Sequence, residues 1–124
     1  MKKLWLMILC MLAVAPLCPA EQMKTYYGNG KLQMEMNDQG IKTYYENGSL
    51  SSETPQLNGA THGIAKTYYE NGKLMSQMEY KNGELAGVTK QFYENGALMR
   101  EDDHGKGEWK QYDENGKLAA EGKM

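Results

Sequence analysis

Polar and apolar positions along this chain follow one short phrase written five times. The phrase is Lys, Thr or Gln, aromatic, any residue, Glu or Gly, Asn, Gly, any residue, Leu. Its copies are Lys24–Leu32, Lys42–Leu50, Lys66–Leu74, Lys90–Leu98 and Lys110–Leu118. The closing glycines Gly30, Gly48, Gly72, Gly96 and Gly116 stand 18, 24, 24 and 20 residues apart. Periods of that size indicate a repeat architecture in which each unit is one supersecondary element. Asn-Gly between aromatic and β-branched runs predicts a β-hairpin, because a type I′ turn needs positive φ at both central residues. No 3.6-residue periodicity emerges past residue 20.

Taking Asn and Gly as the two central turn residues fixes a register. It sets Lys24 opposite Glu35, Lys42 opposite Glu53, Lys66 opposite Gln77, Lys90 opposite Glu101 and Lys110 opposite Glu121. Four of the five pairs unite opposite charges, an agreement that a one-residue slip would destroy. The same register pairs Tyr27 with Leu32, Tyr45 with Leu50, Tyr69 with Leu74 and Tyr93 with Leu98 on one face. Tyr26, Tyr44, Tyr68, Phe92 and Tyr112 then share the other face with the Lys–Glu pairs. Single hairpins of this size are not stable in water, so the units must join into one continuous sheet. The last copy differs, with Asp113 in place of the tyrosine and Trp109 ahead of its lysine, as capping units often do. Between copies, Asn58-Gly59 with Gly63 and Asn82-Gly83 with Gly87 supply further turns, and Pro55 is expected where no ladder donor is needed. The expected fold is all-β: an elongated single antiparallel sheet of about ten strands.

Residues 1–20 are different material. Lys2-Lys3 leads into an apolar run from Leu4 to Val14, followed by Pro16, Pro19 and Ala20. This reads as a secretory signal peptide, a leader helix cleaved after Ala20, and the run is too short to span a bilayer. The alternatives are a retained membrane anchor and a lipoprotein lipidated at Cys18, for which bulky Leu17 is a poor cleavage-site neighbour. The division is therefore 1–20 signal peptide and 21–124 repeat domain, placed in the periplasm or at the cell surface, with no transmembrane span after cleavage. Both cysteines, Cys10 and Cys18, fall in the leader, so the mature chain has no disulfide and no cysteine chemistry.

Beyond the leader, Leu, Ile, Val and Phe number only eleven, which alone would suggest disorder. Nine tyrosines and the strict repeat argue for an ordered sheet that draws on aromatic ladders instead. Removing Lys2 and Lys3 leaves 12 basic and 16 acidic residues, so no electrostatic case exists for nucleic acid. His62 and His104 precede turn glycines without a metal-ligand cluster around them, and Asp102-Asp103-His104 reads as a solvated turn. Ser49, Ser51 and Ser52 flank no histidine, and Glu46, Glu70, Glu94 and Glu114 recur as turn residues rather than as a catalytic pair. No catalytic residue, metal or cofactor is expected, and so no enzyme activity.

The aromatic ladder is the remaining candidate, as scaffold or as binding surface. The candidate binding residues are Tyr27, Tyr45, Tyr69 and Tyr93, with Leu32, Leu50, Leu74, Leu98 and Trp109. The expected role is a protein- or envelope-interaction module whose partner is another protein or an envelope component; self-association into a homo-oligomer is a further option.

The unit Lys66-Thr67-Tyr68-Tyr69-Glu70-Asn71-Gly72-Lys73-Leu74, followed by Tyr80-Lys81-Asn82-Gly83 and Gly87, resembles the bacterial variant of the MORN repeat. His62-Gly63, His104-Gly105 and Gly107-Glu108-Trp109 are similar to turn and strand motifs of that family, and the likeness covers about residues 24–122. It implies a hairpin-repeat sheet. Similar proteins are filed as YwqK-like antitoxin components, or named after kinases that carry such repeats; nothing here resembles a kinase catalytic domain. Choline- and glucan-binding repeats use aromatics at similar periods, but they rely on paired tryptophans, and Trp109 is the only one after residue 20. A cell-wall carbohydrate or choline module and an antitoxin component are thus the alternative functions.

Overall fold

The computed structural model describes residues 22–124, so the leader read in residues 1–20 lies outside the described residues. Eleven strands form: β1 (Met23–Tyr26), β2 (Leu32–Asn37), β3 (Gly40–Tyr44), β4 (Leu50–Leu57), β5 (Ala60–Thr61), β6 (Gly63–Tyr68), β7 (Leu74–Lys81), β8 (Glu84–Phe92), β9 (Leu98–Asp103), β10 (Glu108–Tyr112) and β11 (Leu118–Lys123). Ten of them run in the order β1-β2-β3-β4-β6-β7-β8-β9-β10-β11 in one open antiparallel sheet, and β5 pairs with β4 alone. Among the described residues none is helical. The expected all-β single sheet is what forms.

It is a sheet one layer thick. Among the described residues only Ala65 and Thr89 are buried, at 7% and 8% exposure, and Met78 joins them in one cross-strand row at mid-sheet. Stability therefore comes from ladder hydrogen bonds and from side chains lying across strands rather than from a two-layer core.

The repeated turn differs from the expected one. In all five copies the loop holds three residues, for example Glu70, Asn71 and Gly72 between Tyr69 and Lys73. Gly72 N–H donates to the Tyr69 carbonyl at 2.9 Å, and Tyr69 N–H donates to the Lys73 carbonyl at 2.8 Å. Asn71 keeps an ordinary negative φ while Gly72 sits at +84°, the type I turn with a left-handed glycine that closes three-residue hairpins. True type I′ turns occur at the inter-repeat Asn58-Gly59 and Asn82-Gly83, where both asparagines have φ of 52°.

The longer loop shifts the pairing by one, so Tyr26, not Tyr27, faces Leu32. The same holds for Tyr44 with Leu50, Tyr68 with Leu74, Phe92 with Leu98 and Tyr112 with Leu118. A β-bulge directly beyond each of these pairs shifts the register back, leaving Gln33, Ser51, Met75, Met99 and Ala119 unpaired. The two offsets cancel. Lys24–Glu35, Lys42–Glu53, Lys66–Gln77, Lys90–Glu101 and Lys110–Glu121 thus pair as expected, whereas the tyrosine–leucine pairs do not.

Pro55 lies in β4 between two glycines, of which Gly40 is its register partner. Gly40 is directly opposite in β3, and a Cβ on Gly63 would sit 3.2 Å from the proline ring. β4 pairs with β6 only at Ser52 and Glu53, then with β5 at Gln56 and Leu57. The proline occupies the gap between those two ladders, where no N–H is required on that side.

Candidate functional site

Alternation along the strands sorts the side chains into two faces. One carries a transverse stripe that crosses the ten strands of the continuous path: Lys24, Glu35, Lys42, Glu53, Lys66, Gln77, Lys90, Glu101, Lys110 and Glu121. Every residue is the register partner of the next, and charge alternates except at Gln77. Lys66 reaches Glu53 at 3.5 Å and Lys90 reaches Glu101 at 3.4 Å. Tyr44 donates to Glu35 at 2.6 Å and Tyr68 donates to Glu53 at 2.7 Å on the same face. Leu32, Leu50, Leu74 and Leu98 belong here, beside Tyr26, Tyr44, Tyr68 and Phe92.

Tyr27, Tyr45, Tyr69 and Tyr93 project to the opposite face, so the combined tyrosine–leucine stripe expected from the sequence does not exist as one surface. Each tyrosine hydroxyl instead donates to a backbone carbonyl of the following unit. Tyr27 reaches Tyr44 O at 2.6 Å, Tyr45 reaches Tyr68 O at 2.6 Å, Tyr69 reaches Phe92 O at 2.8 Å and Tyr93 reaches Tyr112 O at 3.0 Å. These are inter-unit staples. Asn47 and Asn95 add turn-to-turn bonds to Glu70 O at 3.4 Å and Glu114 O at 3.1 Å. The signal was present in the sequence: four of the five copies keep the tyrosine at this position, and only the fifth replaces it, by Asp113.

Around the tyrosines this face presents hydroxyls and thioethers. Thr43 bonds Ser52 at 2.6 Å and Thr67 bonds Ser76 at 2.7 Å. Met36 pairs with both Met23 and Ile41. A hollow of about 430 Å3 opens between the first two units, lined by Tyr27, Met34, Thr43 and Tyr45. The other face has a hollow of about 490 Å3 over Gly40, Pro55 and Gly63, floored by residues with little side chain and rimmed by Glu35, Lys42 and Ile64.

Trp109 stands apart, near the C-terminal end of the tyrosine face. The Arg100 guanidinium lies 5.0 Å from its ring centroid and is held by Asp102 at 2.8 Å. Gly122 lies beneath the indole, where a Cβ would meet Nε1 at 2.9 Å. The ring is thus occupied by a cation and by backbone, a packing role. His104 Nε2 is 3.1 Å from Thr89 Oγ1, and His62 Nδ1 accepts from Asn82 N–H at 3.2 Å. Among the described residues no three His, Cys, Asp or Glu side chains gather as metal ligands would.

Electrostatics on the charged face make a prediction. The bond to Glu35, then burial and the carboxylate's charge, push the Tyr44 hydroxyl from 10.0 up to about 12. Burial, followed by the bond to Glu53, does the same for Tyr68. A folded pKa above the unfolded one means that this stabilisation is complete below pH 10 and is lost as pH rises towards 12. The comparison is with the Tyr44→Phe/Tyr68→Phe double variant, which removes these two hydroxyls and keeps every other titratable group. The urea midpoint of the unsubstituted protein should fall more steeply between pH 10 and 12 than that of the double variant. Parallel curves would show that the two hydroxyls are not coupled to folding.

The molecule is a repeat protein of stapled β-hairpins. The family model for the MORN repeat variant matches residues 22–37, 41–58, 61–82, 85–104 and 106–124, and the chain belongs to that family. No curated protein sequence matches it. Among solved structures it is similar to a TarM mutant of S. aureus in complex with fondaparinux, alpha-GlcNAc-glycerol and UDP, at 12% identity and a TM-score of 0.48. That alignment covers 83% of this chain and 22% of the other. A second TarM structure aligns at 14% identity and a TM-score of 0.47, over 98% of this chain and 23% of that one. The chain spans less than a quarter of the length of either.

Proposed function

We propose that this is an exported, non-catalytic repeat protein whose sheet serves as an interaction module for another protein or an envelope component. The observation that carries the reading is the single-layer architecture, with only two buried residues among those described. Such a sheet commits almost no side chains to an interior and leaves two broad, chemically distinct faces. The tyrosine face is the better docking surface: its thioethers and aromatic rings offer apolar area, whereas the opposite face is striped with paired charges. The leucines of the candidate set do not belong to this surface, and the tyrosine hydroxyls are engaged within the sheet. Contact falls to the tyrosine rings and to Met34, Met36 and Ile41.

The test is affinity capture from envelope extract, identified by mass spectrometry, beside a purified cell-wall control. Met34→Glu with Met36→Glu, which spare every staple, should lower recovery of the same partner by about tenfold. Ile64→Gln, an exposed change on the charged face, should leave it unaltered. Recovery that ignores the methionine changes but falls with Ile64→Gln would sink the choice of face. Retention on the wall without a protein partner would favour a carbohydrate module. Processed protein in the envelope fraction is expected; an unprocessed cytoplasmic pool would favour the antitoxin alternative.

A further inference from the structure

Among the described residues the sheet ends in two unpaired edges, β1 and β11, and the residues along them are complementary. We infer that these edges pair with one another between copies, so that the protein associates head to tail through a continued antiparallel sheet.

Strand direction permits it. Ten antiparallel strands in sequence leave β11 running opposite to β1. A second copy displaced along the sheet therefore presents β1 to β11 in the antiparallel sense, without being turned over.

The internal junctions supply the register. Glu53 faces Lys66 between β4 and β6, and Glu101 faces Lys110 between β9 and β10. Glu53, Glu101 and Glu121 all stand five residues after a loop glycine, and Lys66, Lys110 and Lys24 six before one. The same rule sets Glu121 against Lys24 of the next copy and continues the charged stripe across the seam. On the opposite face it sets Gly122 beside Met23 of the next copy. Trp109 already lies over Gly122, and Met23 is 53% exposed. The thioether would then meet the edge of the indole. Tyr26 and Leu118, 57% and 45% exposed, extend the aromatic–aliphatic row in the same way.

Like edges match less well. β1 has Lys24 as its only charged residue, so two copies of it bring two lysines and no carboxylate to the seam. β11 on β11 could pair Glu121 with Lys123, but it leaves Met23 and Lys24 unused and stops at a dimer. The head-to-tail seam lacks one feature of the internal junctions. Asp113 stands where the stapling tyrosine would be, and its carboxylate accepts from Asn115 and Lys117 N–H within its own turn. The contact is accordingly weaker than an internal junction, reversible, and open-ended, since a heterologous interface that does not close forms a filament.

The experiment is sedimentation velocity on the protein as its cell processes it, over concentrations up to about 1 mM, the weak end of specific contacts. Mass should rise with concentration past the dimer and fall as salt is added. Lys24→Glu sets like charges across the seam and should weaken association by about tenfold, as should Glu121→Lys. Mixing the two variants restores opposite charges at every seam of an alternating chain, so the mixture should associate as the unsubstituted protein does. Circular dichroism on each variant alone establishes that its sheet is intact, and recovery in the mixture requires it. The inference is overturned by a protein monomeric throughout, by folded variants that associate normally alone, or by a mixture that stays dissociated. Association that ends at a dimer and survives Lys24→Glu would overturn it in favour of the β11 pair.

Discussion

Replacing Gly40 by alanine should lower the stability of the sheet by about 3–5 kcal/mol, the sum of backbone strain and overpacking. Gly40 has φ of +146°, and a Cβ built on it would collide with the backbone carbonyl of Thr54 and lie 3.0 Å from Pro55 Cα. Neither obstacle can rotate away, because both belong to β4 and pair across to β3. A loss of that size is a large share of the roughly 5–15 kcal/mol that holds a typical domain. Gly87→Ala is the informative control. Its Cβ would also collide, but with the carboxylate of Glu79, the far end of a flexible side chain. Only the left-handed strain at φ of +63° would remain, about 1–2 kcal/mol. Thermal denaturation of both variants decides the matter. If Gly40→Ala costs no more than Gly87→Ala, the close approach of β3 to β4 is not what requires glycine. Because each unit contacts chiefly its neighbours, the damage should be local. Hydrogen exchange should rise first in β1 to β4 while β7 to β11 stay protected.

The second large effect concerns Tyr69, whose hydroxyl ties the third unit to Phe92 O at 2.8 Å. Tyr69→Phe removes one part-buried hydrogen bond, for an expected loss of about 1 kcal/mol. Tyr69→Ser also removes the ring from a sheet with almost no interior, and should cost roughly 3 kcal/mol. Tyr26→Phe, at a residue 57% exposed, should change stability by less than about 0.5 kcal/mol. Urea titration of the three variants separates ring from hydroxyl. Equal, negligible losses for the two phenylalanine variants would remove the staple. This also bears on binding studies: a serine at Tyr45, Tyr69 or Tyr93 weakens the scaffold, so lost capture by such a variant would not identify a contact residue.

The repeat, the antiparallel sheet and the lysine–glutamate register were legible because each is written several times and the copies check one another. The turn type was not. Asn-Gly suits a two-residue type I′ loop, as at Asn58-Gly59 and Asn82-Gly83, and equally the end of a three-residue loop, as at Asn71-Gly72. What separates them is the preceding residue, Glu70 in that case, which becomes part of the loop. The bulge at Met75 then restored the very register that the longer loop had displaced. Charge pairs lying beyond the bulge could therefore agree with a turn that was wrong, while the tyrosine–leucine pairs lying before it could not. The candidate surface inherited that error. Its tyrosines and leucines are real rows, set on opposite faces.

The stapling tyrosines also give the sheet a direction. Every interior unit offers a hydroxyl to the unit after it and a carbonyl to the unit before it, and neither depends on which unit the neighbour is. Interior units are therefore interchangeable parts, and duplication or loss of a whole unit leaves every remaining seam with its donor and acceptor. Among the described residues Tyr26 O receives no staple and Asp113 gives none, so the first and fifth units are not interchangeable with the three between them.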